Sequence, residues 1–419
     1  MTVYQILTRL FGKGRFSSFS AKEFEYFKSL SITHLWFTGI IRQSTGKPYV
    51  KGDIGSPYSI ADYYDVNDFL ADEPENRMKE FGNLVNRCHK HGFKVVLDYI
   101  PNHVSPDYSD AFGGFKTCGY HDYDWTDTDK IDYSCSENWE KMLNVILFWA
   151  AKGVDAFRCD MVELVPVDYW AWLIPAAKAK YPNLEFIAEV YDFNSYGRFK
   201  NEAKFDYLYD KSGLYDRIRA IYSGYGSTSE LTANWQRLGE LQPAMLNFLE
   251  NHDEQRLASP YFAGSAQRGF AALAMSALFY PAPFMFYFGQ ELGEDAHDGA
   301  EGRTSIFSWV RPIKPTSRLS AEQKDVLEVY RRVLGLKEKL GDASNFDLCY
   351  AQSASQGFDF NRHFAFLRCS DKMEVLVVCN FSDSPADITI NIPEEAGSAF
   401  ASGIKISVPA KDFFLLITS

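Results

Sequence analysis

Cysteine is scarce and carries no pattern. Seven occur in 419 residues, with no Cys-x-x-Cys pair, so neither a disulfide framework nor a zinc ribbon is written into the chain. Basic charge is also in short supply: 43 Lys and Arg stand against 55 Asp and Glu, a net charge of −12 without a compensating basic stripe, which excludes nucleic acid as a partner. There is no internal repeat, low-complexity tract or Gly/Ser linker. The first ten residues are broken by Gln5, Thr8 and Arg9 and lack the apolar core of a signal peptide. A reducing, cytoplasmic setting is therefore expected; in an exported form Cys118 and Cys135 are the pair to watch. The long uncharged run at 269–290 has 22 residues, enough for a membrane span, but Pro281 and Pro283 divide it into a helix followed by a short strand. No membrane partner is expected. What remains is ordinary for a folded protein: 46% hydrophobic and 23% charged residues. Aromatics reach 16%, with 34 Phe and 25 Tyr, most of them core material, although flat rings also stack on sugars.

Short apolar runs alternate with helical periodicity through the first 290 residues. The strand candidates are 3–10, 34–37, 94–99, 154–158, 185–189, 205–208, 245–249 and 284–287, and several are apolar on both faces, as strands covered on two sides must be. Helices are expected at 21–29, 75–91, 136–152, 167–180, 229–238, 265–279 and 321–340. Eight such units predict an α/β (β/α)8 TIM barrel over 1–340. The stretch 104–134, rich in Gly, Asp, Tyr and Ser, is too long for a βα loop and reads as a small inserted domain after strand three. From 341 to 419 strands follow one another without helices, which predicts a C-terminal antiparallel, sandwich-like β domain.

Four barrel strands run into acidic clusters: Asp98 with Asn102 and His103, Arg158 with Asp160, Glu189, and Asn251-His252-Asp253. In a parallel barrel all strand C-termini open on one face, so these residues are expected to converge. Converging Asp160, Glu189 and Asp253 suit glycoside cleavage, which needs one carboxylate to attack the anomeric carbon and one protonated acid to release the leaving oxygen. Each has a plainer reading. Asp160 with Glu163 fits a helix capping box, Asp98 fits a loop cap, and Asp253 fits an N-cap. His103 and His252 fit buried, hydrogen-bonded core residues. Arg158, two residues before Asp160, points to the same side of its strand and can hold that carboxylate ionised.

The segments Asp98-Tyr99-Ile100-Pro101-Asn102-His103, Gly153 to Asp160, Ile187-Ala188-Glu189 and Asn251-His252-Asp253 resemble, in order and spacing, the four signature regions of the α-amylase family of glycoside hydrolases. Further similarity lies in Val3-Tyr4-Gln5-Ile6, in the Tyr58-x-x-x-Asp62 element and in Gly289-Gln290-Glu291. The resemblance implies that the 104–134 insert is domain B and the terminal β segment domain C. It implies Asp160 as nucleophile, Glu189 as general acid/base and Asp253 as transition-state stabiliser, with Arg158 positioning Asp160. It further implies that His103 and His252 bond sugar hydroxyls, that Tyr58 stacks on the attacked ring, and that Asp98 orders the cluster. Two departures stand out. Glu163 and Leu164 replace the Lys-His pair that many members carry after the nucleophile, and 11–15 lacks the ligand types of a calcium loop. Asn102 falls where the family often binds calcium, so a metal is left open and no cofactor is required.

The expected activity is that of a retaining α-glycosidase on α-linked glucose oligosaccharides, with the two reacting carboxyls about 5 to 5.5 Å apart. A glucanotransferase or sucrose-type transglycosylase is the same-chemistry alternative, and a non-catalytic carbohydrate-binding relative the other. A metal-dependent barrel hydrolase is disfavoured, because no His-x-His or His-Cys cluster ends a strand. Tyr120, Tyr123 and Trp125 in the insert either pack it onto the barrel or wall the cleft, which predicts a preference for short oligosaccharides over starch.

Overall fold

The computed structural model describes residues 1–298, 301–304, 306–307 and 312–418, with residue 354 as backbone alone. Eight parallel strands close into a barrel in sequence order: Thr2–Leu7, His34–Thr38, Lys94–Tyr99, Ala156–Cys159, Glu185–Ala188, Tyr207–Tyr209, Met245–Phe248 and Phe284–Tyr287. The strands are buried along nearly all their length, which is why they read as continuous apolar runs rather than alternating ones. The chain divides into two compact units, 1–209 with 305–318, and 210–304 with 319–419.

In the first unit, the helices Ala21–Lys28, Arg77–Lys90, Ser136–Ala151 and Val167–Lys180 follow strands one, two, three and four. Ser20 and Glu23 form the capping box that starts the first of them. Strand one ends at Leu7 rather than at residue 10, because 8–10 turn into a 3-10 segment whose Arg9 donates to the Ile306 carbonyl. Between strand two and its helix an antiparallel hairpin, Ile41–Gln43 with Ile60–Val66, carries the Tyr58 segment. The insert is held by a second small ladder, His103–Val104 against Asp129–Lys130.

In the second unit, the uncharged run separates into the buried helix Phe270–Leu278 and barrel strand eight. Phe279, at the end of that helix, sits edge-on to Phe364 and Phe366 of the C-terminal sheet, with ring centroids 4.9 and 5.2 Å apart, so the run is apolar because protein covers it. No helix among the described residues is long and apolar enough to cross a membrane. The C-terminal sheet has strand order Ser344–Asp347, His363–Cys369, Glu374–Asn380, Phe413–Thr418, all antiparallel. The pair Ala386–Ile390 and Ile404–Val408 lies across a core of Leu367, Leu376, Val378, Ile388, Ile390 and Val408. The first strand of this sheet went unpredicted because Ser344, Asn345 and Asp347 hide its alternation. The short helices Tyr196–Asn201 and Asp216–Tyr222 were also unforeseen, being too brief to show a period. All seven cysteines are free thiols, Cys118 and Cys135 included.

Candidate active site

Parallel pairing sets the register at the C-terminal ends of strands three, four and five: Asp98 opposes Arg158, and Cys159 opposes Ala188. Asp160 and Glu189 are therefore the first residues past two neighbouring strand ends, and each is still held by a backbone bond, Asp160 N to Tyr99 O at 2.8 Å and Glu189 N to Cys159 O at 3.0 Å. Alternation turns Arg158 to the same side as Asp160. Its Nη1 donates to Asp160 Oδ1 at 2.8 Å and to Asp98 Oδ1 at 3.3 Å. Its Nη2 lies 2.6 Å from Glu189 Oε1, in ion-pair contact but not aligned as a hydrogen bond. Three carboxylates thus share one guanidinium that has no exposure to solvent. The rings of Trp36, Tyr58 and Tyr209 enclose it, at 5.3, 5.5 and 5.6 Å.

Each carboxylate has further partners. Trp36 Nε1 donates to Asp98 at 3.0 Å and the Tyr58 hydroxyl at 3.1 Å. Glu189 accepts from the Tyr191 hydroxyl at 2.9 Å and from Met161 N at 2.8 Å. Met161 reaches that geometry through a left-handed backbone, φ 42° and ψ 53°, uncommon for a residue with a side chain. Burial is the largest influence on all three carboxylates and raises them; Arg158 opposes it without prevailing, and Asp98 rises to about 6. Arg158 pairs with Asp160 as expected, and its charge works against the rise that burial causes.

The plainer readings of these residues fare differently: His103 and His252 are buried, as that reading has them. Asp160 caps nothing; Glu163 instead accepts from Tyr191 N at 2.9 Å and Asp192 N at 3.1 Å and so fixes the segment after Glu189. His103 is buried, its Nδ1 facing Asn102 Nδ2 at 3.2 Å while its Nε2 meets no partner among the described residues. Burial lowers its pKa to about 4, so the ring is neutral. Trp125 leans on it with ring centroids 5.4 Å apart, and Tyr123 leans on Trp125 at 4.9 Å.

In the second unit, Asn251-His252-Asp253 follows the end of strand seven. Asn251 Oδ1, not Asp253, caps the turn, accepting from Asp253 N at 2.8 Å and Glu254 N at 2.9 Å. Asp253 is left with a side chain 36% exposed, its Oδ2 3.1 Å from His252 Nε2. Thr304 Oγ1 donates to the His252 carbonyl and Arg303 Nη1 to that of Asp253. Behind this turn Glu250 is fully buried and its pKa rises to about 8, chiefly by desolvation.

Comparison with known proteins shows what the chain is similar to. The family model for the catalytic domain of α-amylase matches residues 20–139. Alpha-amylase 3 of Dictyoglomus thermophilum is 22% identical over 378 residues, 77% of this chain and 72% of that protein. The α-1,4-glucan:maltose-1-phosphate maltosyltransferase of Cereibacter sphaeroides is 28% identical over 193 residues, 41% of this chain; the chain spans only 32% of that relative's length. The crystal structure of an α-amylase from Lactobacillus plantarum superposes with a TM-score of 0.78 at 20% identity, covering 100% of this chain and 98% of that one. The chain is similar to the α-amylase family in residues 20–139 and shares the fold of its solved members.

Within the α-amylase frame, the position carried over for calcium can be tested against the residues present. Asn102 Nδ2 donates to Asp122 Oδ2 at 2.8 Å, and both Asp122 oxygens are taken by Lys130 Nζ at 3.0 and 2.9 Å. One amide, one carboxylate and one ammonium do not suit a hard dication, which takes about six to eight oxygens. Among the described residues no group of three or more His, Cys, Asp or Glu side chains is placed to hold a metal. The α-amylase signature regions account for Asp98, Arg158, Asp160 and Glu189, but not for Trp36, Met161, Glu163, Tyr191 and Tyr209, which complete the cluster. Tyr191 carried a faint signal, standing two residues past Glu189 on extended chain. Glu163 stood out only as a capping partner of Asp160 and a departure from the family pattern; Trp36 and Tyr209 come from other strands and Met161 acts through its backbone N, so nothing local in the sequence announces these three.

Proposed function

We propose that this protein is a retaining α-glycosidase that cleaves α-glucosidic bonds in maltooligosaccharides or related α-glucans. The observation that carries the reading is the buried cluster in which Arg158 bridges Asp98, Asp160 and Glu189 at neighbouring strand ends. Asp160 and Glu189 both contact the one Arg158 guanidinium, at 2.8 and 2.6 Å, which supports the close carboxyl pair of a retaining enzyme rather than the wider spacing of about 6.5 to 9.5 Å used for inversion.

In this mechanism Asp160, the carboxylate that receives the aligned guanidinium hydrogen bond, attacks the anomeric carbon. Glu189, whose pKa burial and the Asp160 charge both raise, protonates the departing glycosidic oxygen as the C–O bond breaks. A glycosyl ester on Asp160 results. Water then gives its proton to Glu189 and its oxygen to the anomeric carbon, the ester bond breaks, and an α product leaves. Asp253 is the stabilising third carboxylate, His252 and the partnerless Nε2 of His103 bond sugar hydroxyls, and Tyr58 offers the stacking face. Proton NMR of the first product formed tests the stereochemistry: the α anomer is expected, and the β anomer would falsify the assignment. The rate should be bell-shaped in pH, falling on the acid side as Asp160 protonates and on the basic side as Glu189 loses its proton, with apparent values belonging to the coupled pair.

Transfer of the glycosyl group to another sugar is the second reading, favoured by the similarity to a maltosyltransferase. Chromatography of products with and without added maltose separates the two, since hydrolysis leaves the product distribution unchanged by acceptor.

A further inference from the structure

The insert contains a fixed cation of its own. Lys130 lies on the small ladder directly opposite His103, and its ammonium, 19% exposed, is 2.9 Å from the 18% exposed Asp122. Asp122 in turn accepts from Asn102, which is 1% exposed and follows the barrel strand Lys94–Tyr99 that carries Asp98. The chain of contacts therefore runs from the barrel through Asn102 and Asp122 to Lys130. The nearby backbone oxygens each accept a hydrogen bond within the insert. Asn102 O accepts from Ile131 N at 2.9 Å, Tyr120 O from Lys130 N at 2.8 Å, and Lys130 O from Cys118 N at 2.7 Å. Asn102 Oδ1 and Asp129 Oδ1 are the buried side-chain oxygens here without a hydrogen-bond partner among the described residues.

We propose that Lys130 takes the place of a bound calcium ion in this chain. Its ammonium neutralises Asp122 and so fastens the insert to Asn102 and His103, doing with a covalently attached charge what a free dication would do with coordination. The insert then needs no metal to hold its shape, and its stability depends on the charge at position 130. The inference does not rest on the substrate, and melting is read without an activity assay, so its failure is separable from failure of the proposed function.

The test begins with wild-type protein dialysed against EDTA and scanned by calorimetry with and without excess calcium. No shift in Tm is expected, whereas a structural ion at a hundred times its Kd raises Tm by about 3 °C in a chain of this size. Metal analysis of the untreated protein should find no stoichiometric calcium. Lys130→Met should lower Tm by about 3–6 °C and open the insert to proteolysis, because Asp122 loses its counter-charge. Lys130→Arg should restore most of the loss, and Lys130→Met combined with Asp122→Asn should recover part of it. Calcium bound near one per chain, a Tm that falls on chelation and returns with calcium, or a Lys130→Met protein that melts like wild type would each overturn the proposal.

Discussion

The two units each bury acids around one arginine, and they use the same ingredients to opposite ends. In the first unit Arg158 gives its guanidinium to side chains, contacting Asp98, Asp160 and Glu189 within 3.3 Å. In the second, Arg256 gives Nη1 to the Phe288 carbonyl at 2.8 Å and stays 3.8 Å from Glu250. Glu250 answers by remaining a neutral acid, its pKa about 8, with Oε2 accepting from Leu257 N at 3.0 Å. A buried carboxyl close to an arginine is thus not automatically an ion pair. What the guanidinium touches decides whether the acid is kept reactive or becomes a neutral brace for the His252-Asp253 turn.

The sharpest way to break the comparison is to remove the reacting acid. Asp160→Asn should lower kcat by at least about a thousandfold with the fold intact, measured by steady-state kinetics beside circular dichroism; a loss below tenfold would remove Asp160 from the mechanism. Next come the arginines themselves. Arg158→Met strands three buried carboxylates and should cost about 3–5 kcal/mol. Arg256→Met removes one donor beside an acid that is already neutral and should cost only about 1–3 kcal/mol. Equal losses in denaturant titrations would erase the distinction between the two clusters.

The third effect depends on pH, and its sign follows from the direction of the shift. Glu250 titrates near about 4 when unfolded and about 8 when folded. Between those values the native state holds a proton that the unfolded state has released, so this contribution to stability is full below the lower value and lost as pH rises through the upper one. Asp98 and Asp210, both raised to about 6, act in the same direction over a narrower range. Glu250→Gln should therefore flatten the decline in Tm between pH 5 and 9 relative to wild type, over a pH range chosen from that window. A slope unchanged by the substitution would mean that Glu250 ionises freely. The smallest effect concerns the ring ladder on His103: Trp125→Ala should raise KM for maltotriose to maltoheptaose by a few fold, at about 1 kcal/mol per lost ring contact. A higher kcat/KM on soluble starch than on these oligosaccharides, unaffected by the substitution, would end the size preference.

The barrel was legible in the sequence because strands covered on both faces have to be apolar, and 94–99 and 284–287 match the observed strands end to end. Strand six was displaced, expected at 205–208 and found at Tyr207–Tyr209, because Phe205 is buried and apolar without pairing in the barrel. At the site, each strand-end charge could be read, since charge at the end of an apolar run is conspicuous. The supporting shell could not. Trp36 and Tyr209 look like core aromatics, and only tertiary placement reveals that their polar atoms face Asp98 and Arg158. Likewise Lys130 looks like any surface lysine until its register opposite His103 is known.

The segment 305–318 belongs to the first unit although nearly a hundred residues of the second separate it from the rest. Ile313 exchanges backbone hydrogen bonds with Leu10 and Gly12, both at 2.8 Å, and Thr316 Oγ1 donates to Glu23 at 2.6 Å. During synthesis the first turn after strand one therefore waits for a partner made about three hundred residues later. Until it arrives, Leu10 and Gly12 have unmet backbone groups, and the unit that holds Asp160 and Glu189 lacks one of its own strands of chain. Contacts of such wide sequence separation slow folding, so a nascent chain stopped near residue 209 would carry the whole Arg158 cluster without the segment that closes over its beginning.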